Sequence, residues 1–83
     1  MVVYDGAVTG DDVDAILAEM ITQQEGKLLA LARRLVSHVT SEDLLNPHDF
    51  LPLVESAEFN YEDGILAGLR AARAALRAPC RTA

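Results

Sequence analysis

The sequence predicts an all-α protein, and three observations support that prediction. Ala and Leu together contribute 25 of the 83 residues, whereas Ile, Val and the aromatic residues that sheets prefer are scarce. Apolar residues recur three or four positions apart along two segments, as in amphipathic helices. Acidic and basic residues are separated into alternating blocks. Together these features predict an antiparallel helical hairpin, built as a single domain because the chain is short.

The first helix is predicted to span about residues 11–39. Thr9 or Asp11 can cap its start, and acidic residues in its first turn suit the positive end of the helix dipole. Its apolar stripe comprises Val13, Ile16, Leu17, Met20, Ile21, Leu28, Leu31, Leu35 and Val39. Gly26 interrupts this pattern, but one glycine costs only about 1 kcal/mol relative to alanine, so we expect the helix to continue through it.

The connection between the helices is predicted to contain short helical turns. Thr40 or Ser41 can begin one turn, Asn46–Pro47 ends it, and Pro52 prevents a long regular helix. The segment is nevertheless rich in large apolar residues, namely Leu44, Leu45, Phe50, Leu51, Leu53, Val54 and Phe59. We therefore expect the connection to cover the apolar stripe of the first helix as a lid.

The second helix is predicted to span about residues 61–78, with Asn60 as its N-cap and Pro79 as its stop. The domain organisation that follows has three parts: an N-terminal extension (1–10), one helical domain (11–79) and a C-terminal tail (80–83).

One line of the second helix consists of small residues three or four positions apart: Gly64, Gly68, Ala71 and Ala75. Small residues allow the backbone of another helix to approach closely. Glycine otherwise weakens a helix, so this line favours a helix contact, although an accidental glycine pair accounts for it as well.

The charge blocks predict how the two helices pair. Residues 1–25 carry six acids and no base, 26–39 three bases and no acid, 40–63 seven acids and no base, and 64–83 four bases and no acid. An antiparallel arrangement places the basic end of the second helix beside the acidic start of the first. It also places the acidic start of the second helix near Arg33 and Arg34.

The first helix is predicted to outrun the second by about ten residues. The apolar positions of this surplus are Ile16, Leu17, Met20 and Ile21. A small domain with spare apolar surface and no disulfide most simply pairs with a copy of itself. We expect a homodimer that forms a four-helix bundle, with a different protein as the alternative partner.

Few residues suggest chemistry, and the sequence predicts no catalytic, metal-binding or cofactor-binding residue. His38 and His48 are ten positions apart, without a further His or Cys at ligand spacing. Cys80 is the only cysteine and lies in the predicted tail. The net charge of −6 argues against nucleic acid and anionic membranes as partners. The lone cysteine, with no leader-like segment, predicts a cytoplasmic protein.

Two classes of function follow from this organisation. The favoured hypothesis is a small non-catalytic adaptor or regulator that acts through protein–protein interaction, as a homodimer. The alternative is an enzyme or ligand-binding protein whose site forms at the dimer interface, where His38, Asp49 or Tyr61 from two chains converge.

Overall fold

The computed structural model describes residues 9–78, and every regular element in this range is helical. The elements are helix α1 (Gly10–Leu35), two 3₁₀ turns (Asp43–Leu45 and Pro47–Asp49), helix α2 (Leu51–Val54) and helix α3 (Ala57–Arg77). Helix α3 folds back on α1, which confirms the predicted all-α hairpin with short turns in its connection. The predicted tail with Cys80, and all of the predicted extension before Thr9, lie outside the described residues.

Helix α1 begins with a reciprocal cap. The Thr9 hydroxyl accepts a hydrogen bond from the Asp12 amide at 3.2 Å, and the Asp12 carboxylate accepts one from the Thr9 amide at 3.0 Å. The hydrogen bond that the Thr9 amide donates to the Asp12 carboxylate lowers the pKa of Asp12 below its usual value. The bond that the Thr9 hydroxyl donates to the same carboxylate is the second cause. The helix then continues through Gly26 without a break, as predicted.

The predicted end of the first helix at Val39 is wrong, because α1 ends at Leu35. Val36 adopts an extended conformation, with φ −137° and ψ 98°. The chain then turns so that Val39, which is 1% exposed, enters the core. Arg33 fixes this turn by donating a hydrogen bond from its Nε to the Val39 carbonyl at 3.0 Å. Val39 is therefore buried by the segment that follows α1, and not as part of a further helical turn.

The predicted start of the second helix at about residue 61, with Asn60 as its N-cap, is also wrong. Helix α3 begins at Ala57, and the hydroxyl of its N-cap, Ser56, accepts a hydrogen bond from the Phe59 amide at 3.1 Å. The Asn60 side chain instead donates to the Val54 carbonyl at 2.8 Å, which ties α3 to α2. Since α1 has 26 residues and α3 has 21, α1 is longer by five residues rather than by the ten expected.

The core lies between α1 and α3 and is closed by the connection. Its largest fully buried side chains are Phe59, Leu28, Leu53 and Val39. Leu53 comes from α2, and Leu44 and Phe50 pack against the same cluster while partly buried. The connection thus covers part of the apolar stripe of α1, as the predicted lid does.

Ion pairs link the two long helices along their length. Arg70 contacts Glu25 at 2.7 Å, and Arg34 contacts Glu58 at 3.2 Å. Near the other end, Arg73 lies 3.0 Å from Asp14. Residues late in α3 therefore meet residues early in α1, which confirms the antiparallel pairing of charge blocks. The Arg70–Glu25 and Arg34–Glu58 pairs are exposed and select an orientation more than they supply stability, whereas the Arg73–Asp14 pair is half-buried.

Within residues 9–78, no helix combines the length and hydropathy needed to cross a membrane.

Candidate interaction surfaces

The most buried charge in the described chain belongs to Glu62, whose side chain is fully paired. Gln24 donates hydrogen bonds from its Nε2 to the Glu62 backbone carbonyl at 2.9 Å and to Oε2 at 3.0 Å. The Lys27 ammonium lies 3.0 Å from Oε1. The Gln24 bond, followed by the bond and charge of Lys27, lowers the pKa of Glu62 below its usual value. This cluster therefore links Gln24 and Lys27 of α1 to Glu62 of α3.

The interface residues predicted on α1 divide into exposed and buried positions. Ile16 and Met20 are 43% and 44% exposed, and Leu17 is half-buried. Ile21 belongs to the core and is only 8% exposed. Packing against α3 thus occupies Ile21 within one chain and leaves Ile16 and Met20 at the surface.

The predicted line of small residues on α3 lies entirely at the surface. Gly64, Gly68, Ala71 and Ala75 are all exposed. A Cβ atom added to either glycine would have no described atom within 4 Å, apart from its own helix backbone and chain neighbours. The line therefore makes no close helix contact within one chain, and α1 packs on a different face of α3.

The face of α3 that points away from α1 lacks charge. Of the 12 exposed residues between positions 64 and 78, ten are Gly, Ala, Ile or Leu, and only Arg70 and Arg77 are charged. Both arginines reach towards α1, where Arg70 contacts Glu25 and the Arg77 Nε lies 4.0 Å from Asp14. A surface helix ordinarily turns its polar side outward, whereas the outward side of α3 is apolar and its arginines lie towards α1.

Larger apolar side chains border this small-residue face. Ile65 and Leu76 are 36% and 41% exposed. Each lies two positions from a residue that lines a groove between the helices, Asp63 and Ala74 respectively. Residues two apart in an α-helix point about 200° apart, so Ile65 and Leu76 lie on the flank opposite the grooves.

On α1, Met20 lies two positions from Thr22, which lines the first groove, so the two side chains also point about 200° apart. Its exposed side chain is thus placed on the flank that Ile65 and Leu76 share. Apolar side chains from both long helices therefore occupy one side of the hairpin.

The opposite side of the hairpin contains two grooves. The first, about 420 Å³, lies between α1, α3 and the Asp43–Leu45 turn, over a floor that includes Leu28 and Leu66. The second, about 450 Å³, follows the arginines of α3 and is lined by Ala18, Ile21, Thr22, Glu25, Arg70, Arg73, Ala74 and Arg77. Its charges are largely paired, because Arg70 contacts Glu25 and Arg73 contacts Asp14.

The sequence does not predict the first groove, although Gly26 and Asp63 both line it. The groove depends on where the Asp43–Leu45 turn packs, which is a tertiary contact without a local sequence signal.

The residues considered for chemistry do not come together within the described chain. The ring of His38 meets that of Phe50 edge-on, with centroids 6.2 Å apart. His48 lies 3.9 Å from its neighbour Asp49, and both side chains are exposed. Tyr61 is 69% exposed on α3. Among residues 9–78, no group of three or more His, Cys, Asp or Glu side chains is arranged to hold a metal ion.

Comparisons with protein-family models, curated proteins and solved structures yield no match to this chain.

Proposed function

We propose that this protein is a small non-catalytic interaction protein, an adaptor or regulator, that pairs with a second copy of itself. The observation that supports this proposal is the outer face of α3, which is exposed, uncharged and built of small residues from Gly64 to Ala78. An apolar exposed helix face is stabilised when a partner covers it. Ile65 and Leu76 extend the same apolar surface, as do Ile16 and Met20 on α1.

The spacing of the small residues suits a twofold pairing. Gly64, Gly68, Ala71 and Ala75 are separated by steps of four, three and four residues, and this order is the same in both directions. Two antiparallel copies of α3 can therefore place Gly64 opposite Ala75 and Gly68 opposite Ala71. A twofold interface requires this kind of self-complementary surface. With both copies of α1 at the edges, the assembly would contain four long helices.

The alternative hypothesis, an enzyme or ligand-binding site at a dimer interface, has less support. It would gain support from a ligand-sized pocket lined by His38, Asp49 or Tyr61. Among the described residues, none of these three lines either groove. The arrangement around α3 therefore favours interaction over catalysis.

Light scattering on a size-exclusion column tests the proposal. We expect a mass of about twice the 9.0 kDa chain. The Ala71→Glu variant places a charge at the centre of the pairing surface and should yield the single-chain mass with unchanged helical circular dichroism. The matched control Ala30→Glu adds the same side chain at an exposed position of α1 and should keep the wild-type mass. A wild-type protein that remains a single chain at high concentration would contradict the homodimer.

A further inference from the structure

The groove closed by the Asp43–Leu45 turn has the size and lining of a small-ligand site. Its volume of about 420 Å³ falls within the range of roughly 300–1,000 Å³ that is typical of ligand pockets. Leu28 and Leu66, both almost fully buried, are part of the floor, and Leu29 and Leu44 add apolar wall. Leu45 lies at the edge, where it is 69% exposed.

A glycine at the wall keeps this groove open. Gly26 lies in the middle of α1, where glycine lowers helix stability relative to alanine. A Cβ atom at this position would have no described atom within 4 Å, apart from its own helix backbone and chain neighbours, so internal packing does not require the glycine. A larger side chain at position 26 would extend into the groove. The glycine thus weakens α1 while leaving space beside the leucines.

Asp63 supplies an available negative charge at the same groove. Its half-buried side chain lines the groove and makes no hydrogen bond or ion pair with any residue between 9 and 78. The other charged residues of the lining, Glu25 and Arg70, contact each other at 2.7 Å. The lining therefore combines an apolar floor, one neutralised ion pair and one carboxylate without a partner, which is complementary to a cation with a hydrocarbon body.

We propose that this groove binds a small hydrophobic cation, a free alkylammonium compound, with its hydrocarbon portion on the leucines and its ammonium at the Asp63 carboxylate. The site is formed within one chain, on the side of the hairpin opposite Ile65 and Leu76. It does not depend on the dimer proposed above.

Titration of the full chain with octylammonium chloride, followed by amide nuclear magnetic resonance, tests this site. Concentrations stay below those at which the probe forms micelles. We expect saturable shifts centred on Gly26, Leu44 and Asp63. Octyl sulfate has the same hydrocarbon chain with the opposite charge and should bind more weakly. Equal binding of the two probes, or no saturable shift at these residues, would overturn the proposal.

Two variants test the parts of the site separately. Asp63→Asn should weaken octylammonium binding about two- to fivefold, the effect of losing a partly exposed ion pair. The control Glu55→Gln removes an exposed acid outside the groove lining and should leave binding unchanged. Wild-type affinity in Asp63→Asn would refute the role of this carboxylate and the proposal with it.

Gly26→Leu fills the groove from α1 and should abolish binding while raising the urea concentration at which the chain unfolds. A variant that gains stability and loses binding cannot have lost binding through unfolding. Ala15→Leu adds the same side chain at an exposed position of α1, about 16 Å along the helix from Gly26 and outside the groove lining, and should bind as wild type does. Undiminished binding in Gly26→Leu would place the probe elsewhere and overturn the proposal.

Discussion

Arg73 and Asp14, separated by 59 positions in the sequence, form a two-point contact between α3 and α1. The Arg73 Nε donates to Asp14 Oδ1 at 3.0 Å, and a terminal guanidinium nitrogen donates to Oδ2 at 3.3 Å. This paired geometry defines the relative position of two groups more strictly than a single contact does. It also lowers the pKa of Asp14 and raises that of Arg73, chiefly through the hydrogen bonds between them. The contact thus aligns the basic end of α3 with the acidic start of α1.

The first prediction concerns the coupling between these two residues. Asp14→Asn and Arg73→Gln should each lower the urea midpoint. The first leaves Arg73 without its counterion, and the second leaves Asp14 with only the more distant Arg77, whose Nε lies 4.0 Å away. The double variant should lose less than the sum of the two single changes, since residues in direct contact are not additive. Urea unfolding of the four proteins, followed by circular dichroism, measures this difference. Strictly additive losses would show that the contact does not stabilise the fold in solution.

The second prediction concerns acid. The carboxyl groups of Asp12, Asp14 and Glu62 have lowered pKa values in the folded chain, because they accept hydrogen bonds or face bases. The folded state then binds fewer protons than the unfolded state near these pKa values, and stability falls as pH falls. The thermal midpoint should stay level near neutral pH and decrease below about pH 4.

Glu62→Gln and Gln24→Leu should each reduce this acid-dependent loss, because the Gln24 bond is the largest cause of the Glu62 shift. Thermal melts between neutral pH and about pH 2 measure the slope. An unchanged slope in both variants would contradict the assignment to Glu62.

Several features of the fold could be predicted from local sequence. A cap at Thr9 or Asp11, the continuity through Gly26 and the antiparallel order each depend on neighbouring residues or on block charge. The structure confirms the continuity and the antiparallel order, and of the two candidate caps it has Thr9. Asp12 three residues after Thr9 is the signal for the cap. Segregated charges predict the antiparallel orientation, because a parallel arrangement would place the acidic start of α3 beside the acidic start of α1.

The helix boundaries near the connection could not be predicted in this way. Val39 and Phe59 are buried by contacts with distant residues, and their burial sets where α1 ends and α3 begins. Ser56 and Asn60 are both good N-cap residues, so sequence alone does not choose between them. The groove beside Gly26 and Asp63 depends on the same tertiary placement of the connection.

The third prediction compares two leucines of α2. Leu53 is fully buried and Leu51 is 64% exposed, although both belong to one short turn. Leu53→Ala should lower the free energy of unfolding by about 2–5 kcal/mol, the usual cost of truncating a buried leucine. Leu51→Ala should change it by less than about 0.5 kcal/mol, as surface substitutions do. Chemical unfolding measures both, and equal effects would show that α2 does not close the core.

The fourth prediction uses Gly68→Ala to ask whether another chain covers the outer face of α3. Within one chain, the added methyl group meets no described atom outside its own helix backbone and chain neighbours, so helix propensity should raise stability by about 1 kcal/mol. If two copies of α3 approach closely at this line, the same methyl group widens the gap between them and weakens their association. We therefore expect Gly68→Ala to unfold at higher urea than wild type in dilute solution and to dissociate more readily.

Urea melts and light scattering over a dilution series separate the two effects. Ala30→Gly, at an exposed position of α1, serves as the reverse control and should lower stability by a similar amount at every concentration. A gain from Gly68→Ala that is the same at all concentrations would mean that no partner contacts α3 at this line.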